Sequence, residues 1–120
     1  MNSLVAGDLR IETRVAATPS PIQLLWQGKS NERNPSATLL PFFSDVLAEA
    51  AVRKVGVELH FERLEYFNSS TITSIIQLVE DARACGVRMT MLYDRELRWQ
   101  RLSFEPLRVF SNDLFEVRST

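Results

Sequence analysis

The sequence predicts an α/β sandwich in which a mixed sheet is opened by an N-terminal hairpin and amphipathic helices pack on the sheet. Three observations lead to this class. Two strand-like apolar segments come first, helical and strand-like hydrophobic periods then alternate along the chain, and the 120 residues, 45% of them hydrophobic, suffice for one core. The predicted element order is ββαβαβαβ, in which strands joined through a helix run parallel.

The predicted hairpin consists of two short strands near the start of the chain. Residues 9–16 alternate apolar and polar side chains with the period of two expected for a half-buried strand. Residues 17–21 supply two prolines and a serine for a turn, and the apolar residues 22–27 follow as the second strand. We expect residues 1–8 to be a short flexible N-terminus and the polar residues 28–36 to be an exposed loop.

The first predicted helix begins near Thr38 and ends near Val52, because its apolar residues recur with helical spacing. Pro41 is expected in its first turn, where the missing amide has no intrahelical partner. Residues 55–61 then alternate as a strand whose polar side carries His60. This is the only histidine and no second ligand follows at a useful spacing, so a structural position is favoured over catalysis or metal binding.

The second predicted helix spans residues 68–85 and follows a loop over residues 62–67. Its apolar side chains form one stripe, Asn68 is a suitable N-cap, and Gly86 supplies the left-handed residue that ends it. Residues 87–92 alternate as a strand entered directly from this helix.

The C-terminal part begins with a polar, arginine-bearing segment, residues 93–102, which predicts a loop. Ser103 is the expected N-cap of a short last helix, with Pro106 in its first turn. Residues 114–117 are expected to form a final short strand.

Composition excludes several classes of protein. Fourteen Lys and Arg residues oppose fifteen Asp and Glu residues, so the net charge of −1 provides no global field for nucleic acid or acidic lipid. The chain starts without the pattern of a secretion signal, and no apolar run approaches the roughly 20 residues needed to cross a bilayer. The single cysteine, Cys85, suits a reducing compartment. We expect a cytoplasmic protein with no nucleic-acid partner and no membrane partner.

A cluster of hydroxyl-bearing residues, Ser69, Ser70 and Thr71, follows Asn68 at the start of the second helix. Backbone amides and the helix dipole favour negative charge there. Three interpretations are open: capping of the helix, binding of an anionic ligand, and phosphorylation of an exposed serine. A serine nucleophile is disfavoured, because the only histidine precedes this segment and no Gly-x-Ser-x-Gly turn is present.

The order of strand, loop, serine pair, amphipathic helix, glycine and strand in LEYFNSSTITSIIQLVEDARACGVRMTML resembles the STAS domain of anti-sigma factor antagonists. In that family an Asp-Ser-Ser/Thr-Gly turn opens the helix; here Asn68 stands in place of Asp and Thr71 in place of Gly. The ending SFEPLRVFSNDLFEVR is similar to the family's short last helix and strand. The resemblance covers most of the chain and implies a single STAS-like domain over residues 9–120.

The resemblance implies a regulatory partner-switching protein that is not an enzyme and uses neither cofactor nor metal. Its unphosphorylated form would bind a switch protein kinase or anti-sigma-type protein, with a serine phosphatase as a further partner. Ser69 matches the family's phosphoacceptor position, and Ser70 is the runner-up. We expect a monomer or weak homodimer. The expected partner-binding residues are Asn68, Ser69, Ser70, Thr71, Thr73 and Ser74.

The alternative at the same helix N-terminus is a small-ligand or nucleotide-sensing module. The sequence contains no complete phosphate-binding loop, since Gly28, Lys29 and Ser30 match only the last three positions of the Gly-x4-Gly-Lys-Ser/Thr motif.

A possible secondary basic site lies near the C-terminus, where arginines surround a tryptophan. It could hold a phosphate group, an acidic protein surface or nucleic acid. The alternative is a solvated face whose arginines pair with Asp94, Glu96 and Glu105, while Trp99 covers the edge of the core. The residues are Arg95, Arg98, Trp99, Arg101 and Arg108.

Overall fold

The computed structural model describes residues 3–120, which form one six-stranded sheet and three α-helices. The strands lie side by side in chain order, the first two pairings antiparallel and the other three parallel. This mixed sheet with an opening hairpin confirms the predicted fold class. The strands are β1 (Leu4–Ala6), β2 (Leu9–Arg14), β3 (Ile22–Ser30), β4 (Val57–Phe67), β5 (Met89–Tyr93) and β6 (Phe115–Ser119). The helices are α1 (Ser36–Arg53), α2 (Ser69–Ala84) and α3 (Arg98–Phe104), and a 3-10 helix over Glu105–Phe110 continues α3.

The core lies on one face of the sheet. Along β4, Val57, Leu59 and Phe61 are buried, whereas His60 and its polar neighbours on the other face are partly exposed. The buried residues of all three helices join the inward side chains of the sheet in one cluster. The helices therefore cover one face, and the face that carries His60 stays open to solvent.

The N-terminal segment differs from its prediction. Leu4–Ala6 forms β1, which pairs with β2 after a turn at Gly7, whose φ is 60°. Residues 4–6 of the segment expected to be flexible therefore form a strand, because their backbone pairs with β2. Met1 and Asn2 lie outside the described residues.

Two strands are longer than predicted. β3 continues to Ser30 and β4 to Phe67, so the start of the expected loop over residues 28–36 and the whole of the expected loop over residues 62–67 lie in strands. The pairing contains two register shifts, and Gly28 adopts a φ of 84° with the Asp8 carbonyl oxygen where a Cβ would stand. In β3, parallel pairing thus outweighs the polar, turn-forming character of residues 28–30.

Helix α1 begins earlier than predicted, after Pro35, whose carbonyl accepts the amides of Thr38 and Leu39. Pro41 is therefore inside the helix and not in its first turn. Its exposed ring is accommodated at the cost of one backbone hydrogen bond.

Helix α3 lies where a loop was expected, and Ser103 is within it and is not its N-cap. The buried Gln100 explains this placement. Its Nε2 donates to the carbonyl oxygens of Phe61 at 2.6 Å and Leu64 at 3.1 Å, and its Oε1 accepts the amide of Asp94 at 2.8 Å. These bonds tie α3 to the irregular part of β4.

Candidate functional site

The candidate site is built around Asn68, which precedes α2. Its Oδ1 accepts the backbone amide of Thr71 at 2.9 Å and the hydroxyl of Thr71 at 2.7 Å, as an N-cap does. The side-chain Nδ2 of Asn68 donates to the carbonyl oxygen of Glu32 at 2.8 Å. The backbone amide of Asn68 donates to the carbonyl oxygen of Ser30 at 3.0 Å. Asn68 therefore caps α2 and also fixes the segment that leads from β3 to α1.

Two hydroxyls of the predicted docking cluster are buried. Thr71 Oγ1 lies 2.7 Å from Ser30 Oγ, and Ser74 Oγ lies 2.6 Å from Ser36 Oγ. Thr71 and Ser74 are 0% and 1% exposed, so their assignment to the partner-binding surface is corrected. They lie on the buried stripe of α2 together with Ile75, and each polar group is satisfied by a hydroxyl from a neighbouring element.

Ser69, Ser70 and Thr73 are exposed on the outer side of α2. Thr73 Oγ1 donates to the carbonyl oxygen of Ser69 at 3.2 Å. The hydroxyls of Ser69 and Ser70 make no hydrogen bond to any other residue in the described range 3–120. Both serines are therefore accessible to an enzyme or a protein partner.

An open groove of about 560 Å³ extends from Ser69 to α3. One wall is the start of α2, the other is α3, and the end of β4 closes it. The Trp99 ring packs at 5.8 Å from Phe67 and 6.2 Å from Phe104, measured between ring centroids. The groove therefore brings Trp99 of the predicted secondary basic site to the predicted serine site, whereas the arginines of that basic site are not among its lining residues. Its lining residues are Glu65, Tyr66, Phe67, Asn68, Ser69, Ile72, Trp99 and Ser103.

The arginines near α3 do not form the predicted ion pairs. Within the described part of the chain, no carboxylate lies within 4.0 Å of the basic groups of Arg95, Arg98, Arg101 or Arg108. The candidate acids have other partners: Asp94 Oδ1 accepts the Glu96 amide at 2.9 Å, and Glu105 Oε1 accepts the Tyr93 hydroxyl at 2.9 Å. Arg101 donates to the Arg95 carbonyl oxygen at 2.7 Å. The prediction that these arginines pair with neighbouring acidic residues is therefore wrong, whereas Trp99 does cover an edge of the aromatic core.

His60 lies on the open face of the sheet between two carboxylates. Its Nε2 is 3.0 Å from Glu58 Oε1, and its Nδ1 is 3.5 Å from Glu62 Oε1. Since the helices cover the opposite face, His60 cannot act as a base for Ser69. Residues 3–120 contain no group of three or more His, Cys, Asp and Glu side chains that could hold a metal ion.

The structure adds residues that sequence reasoning missed. Ser30 and Glu32 hold the start of α2 through Asn68 and Thr71, and Tyr66, Ile72 and Ser103 line the groove. The sequence carries a signal only for Ile72, which belongs to the apolar stripe of α2. The others depend on the extension of β3 and β4 and on the position of α3.

Neither a protein-family model nor a curated protein sequence matches this chain. Two solved structures from Pseudomonas aeruginosa are similar to it over the full length of both chains. One is a chain of the crystal structure of the diguanylate cyclase SiaD in complex with its activator SiaC, with 18% identity and a TM-score of 0.64. The other is SiaC, with 19% identity and a TM-score of 0.58. None of the helices in residues 3–120 has the length and apolar character needed to cross a membrane. The chain thus has the mixed α/β, STAS-like fold of the SiaC structures.

Proposed function

We propose that this chain is a regulatory partner-switching protein whose docking surface surrounds the start of α2 and is controlled by phosphorylation of Ser69. One observation carries the proposal: the exposed Ser69 hydroxyl lies at the edge of an open groove, on a helix start that Asn68 holds rigidly. Ser70 is the second candidate acceptor, since it is exposed but does not line the groove.

Phosphorylation would act on docking and leave the fold intact. A phosphoserine adds about −1.5 to −2 charges, and a helix N-terminus tolerates an anion well. A single charge pair 4 Å apart is worth up to about 4 kcal/mol at an effective dielectric of 20, before screening by salt. Even a third of that energy would change partner affinity about tenfold.

The candidate partners come from two sources. The STAS resemblance suggests a switch protein kinase or anti-sigma-type protein that binds the unphosphorylated form, and a serine phosphatase that acts on the phosphorylated form. The structural neighbours suggest an enzyme that the protein activates, since SiaC is the activator of the diguanylate cyclase SiaD. In either case this chain supplies regulation, and catalysis belongs to the partner.

The experiment installs phosphoserine at position 69, 70 or 44 of the full chain during synthesis. Ser44 is exposed on α1 and gives a matched control with the same added charge. Binding to a purified switch-type serine kinase and to a purified diguanylate cyclase from the same organism is measured by calorimetry.

We expect phosphoserine at position 69 to weaken binding to at least one of these partners by about tenfold or more, while phosphoserine at position 44 has less than about a twofold effect. Equal binding by the forms modified at positions 69 and 44 would overturn the proposal. A kinase reaction followed by mass spectrometry should place the natural phosphate on Ser69, and labelling confined to α1 would also contradict it.

A further inference from the structure

We infer that the open face of the sheet, opposite the helices, is the interface of a weak two-fold symmetric homodimer in which β2 of one copy lies over β6 of the other. The occupant of this face is a second copy of the chain, so the residues that meet follow from the strand register. The interface is independent of the proposed function, because Ser69 lies on the helix side of the sheet.

Two rows of side chains cross the open face from β2 to β6. Each row follows from the residue pairs of neighbouring strands, since directly opposed residues point to the same face. The first row consists of Arg14, Gln23, Glu58, Thr90 and Glu116. The second row consists of Glu12, Leu25, His60, Leu92 and Arg118. A third row lies at the rim, beyond the last residue pair of β5 and β6, and consists of Arg10, Gln27 and Arg63.

The two outer strands carry opposite charges in each of the first two rows. The first row begins with Arg14 on β2 and ends with Glu116 on β6. The second row begins with Glu12 and ends with Arg118. A two-fold axis along β4, the middle strand of these five, exchanges β2 and β6. It places Arg14 over Glu116 of the second copy and Glu12 over Arg118 of the second copy, and each contact occurs twice in the dimer.

These four charges are already held in pairs, and docking would join the pairs. Arg14 Nη2 lies 3.1 Å from Glu12 Oε2, and Arg118 Nη2 lies 2.9 Å from Glu116 Oε1, while the four side chains stay 34% to 61% exposed. The second copy would convert two isolated pairs into a network of four alternating charges. Networks stabilise more than isolated exposed pairs do. The face is therefore complementary to its own copy, row by row.

The apolar side chains of the face lie on either side of the axis. Leu25 on β3 and Leu92 on β5 are partly exposed on the face opposite the core. The axis places Leu25 over Leu92 of the second copy, so both would lose contact with water. Closer to the axis, Glu58 and Glu62 are turned to His60 of their own copy, at 3.0 and 3.5 Å. The new ion pairs thus form at the outer strands and enclose an apolar contact.

The size of the face sets the strength of the dimer. Five strands about 4.8 Å apart, with about five residues each at about 3.3 Å, give a face of about 24 by about 17 Å. The side chains raise the contact area above this projection, yet it stays below the roughly 800 Å² per partner of a standard interface. We therefore expect a weak dimer, with a dissociation constant between about 10 and about 500 µM.

The test reverses the charges that face each other. Glu12→Arg alone and Arg118→Glu alone each place like charges together at both contacts, so each variant should self-associate at least about tenfold more weakly than the wild type. An equimolar mixture of the two variants restores opposite charges at both contacts. It should form a heterodimer about as tightly as the wild type forms its homodimer. Sedimentation equilibrium of the full chain from about 10 µM to about 2 mM measures all three.

Controls separate this interface from other modes of association. Asp45→Arg, on the exposed side of α1, should change self-association by less than about twofold. Leu92→Asp should abolish it without touching the outer charges, and circular dichroism checks that each variant is folded. A wild type that stays monomeric throughout, or a dimer that neither reversal weakens, would overturn the inference. A mixture that associates no better than its two components would also overturn it.

The dimer and the proposed switch fail separately. Phosphoserine at position 69 lies across the sheet from the interface, so it should leave self-association unchanged within about twofold. If the chain dimerises as described but phosphoserine at position 69 does not weaken partner binding, the interface stands and phosphorylation control is wrong. If phosphoserine at position 69 releases a partner from a chain that stays monomeric, the switch stands and the dimer is wrong.

Discussion

Ser69 and Trp99 line the same groove, although one begins α2 and the other lies in the first turn of α3. The parallel strands β4 and β5 bring these two helix starts to the same edge of the sheet, because each helix follows the carboxyl end of a strand. Gln100 and Phe104 then hold α3 against β4. The accessible Ser69 and the Trp99 ring therefore belong to one surface.

Replacement of Asn68 should destabilise the start of α2. Asn68→Ala removes the cap of Thr71 and the bond to Glu32, so we expect a loss of about 1 to 2 kcal/mol in the free energy of unfolding. Asn68→Asp keeps the cap, which a negative charge at a helix N-terminus favours, but it replaces the donor to Glu32 by an oxygen that the Glu32 carbonyl oxygen repels. Its loss should therefore be smaller than that of the Ala variant without being zero. Urea denaturation measures both, and an Asp variant less stable than the Ala variant would contradict this account.

The buried hydroxyl pair of Ser30 and Thr71 should show energetic coupling. Thr71→Val leaves the buried Ser30 hydroxyl without its partner, at a cost of about 1 to 3 kcal/mol, whereas Ser30→Ala should cost less because the Thr71 hydroxyl still donates to Asn68. The double variant should lose less than the sum of the two single losses, since it leaves no unpaired hydroxyl. A double-mutant cycle in urea gives this coupling energy, and simple additivity would show that the pair is not coupled.

Gln100→Leu should loosen α3 and with it the groove. The change leaves the carbonyl oxygens of Phe61 and Leu64 and the amide of Asp94 without their partner, so we expect a loss above about 2 kcal/mol. Gln77→Leu on the exposed side of α2 is the matched control and should cost less than about 0.5 kcal/mol. Hydrogen exchange should show faster opening of α3 in the first variant only; unchanged protection of α3 would contradict the role given to Gln100.

The stability of the fold should fall at alkaline pH because of Tyr93. Burial raises the pKa of Tyr93 above its ordinary value of 10.0, and the hydrogen bond to Glu105 raises it further. Below pH 10 the Tyr93 phenol is protonated in both the folded and the unfolded chain, so it does not change the free energy of unfolding with pH. Above that value the unfolded chain loses the proton first, so the free energy of unfolding decreases as the pH approaches the raised folded-state pKa.

Tyr93→Phe removes this dependence and gives the comparison. Urea unfolding from about pH 8 to about pH 11 should show a shallower decline for the variant than for the wild type, because the variant has no phenol at position 93 to lose a proton. Parallel curves across that range would show that Tyr93 does not contribute.

The sequence by itself determined the features that depend on short-range patterns. The change between periods of two and 3.6 gave the alternation of strands and helices, and the N-cap at Asn68 was confirmed because its hydrogen bond to Thr71 joins near neighbours. The STAS-like fold class followed from this order, since strands linked through helices pair in parallel. The exposure of Ser69 also agrees with its place on the polar side of α2.

Only the tertiary structure decided the rest. Strand pairing extended β3 and β4 into segments expected to be loops, and Gln100 placed α3 in a segment that resembles a loop. Thr71 and Ser74 look like surface residues in the sequence but are buried, because hydroxyls from β3 and α1 satisfy them. The groove itself depends on contacts between residues distant in the chain, which local hydrophobic patterns do not predict.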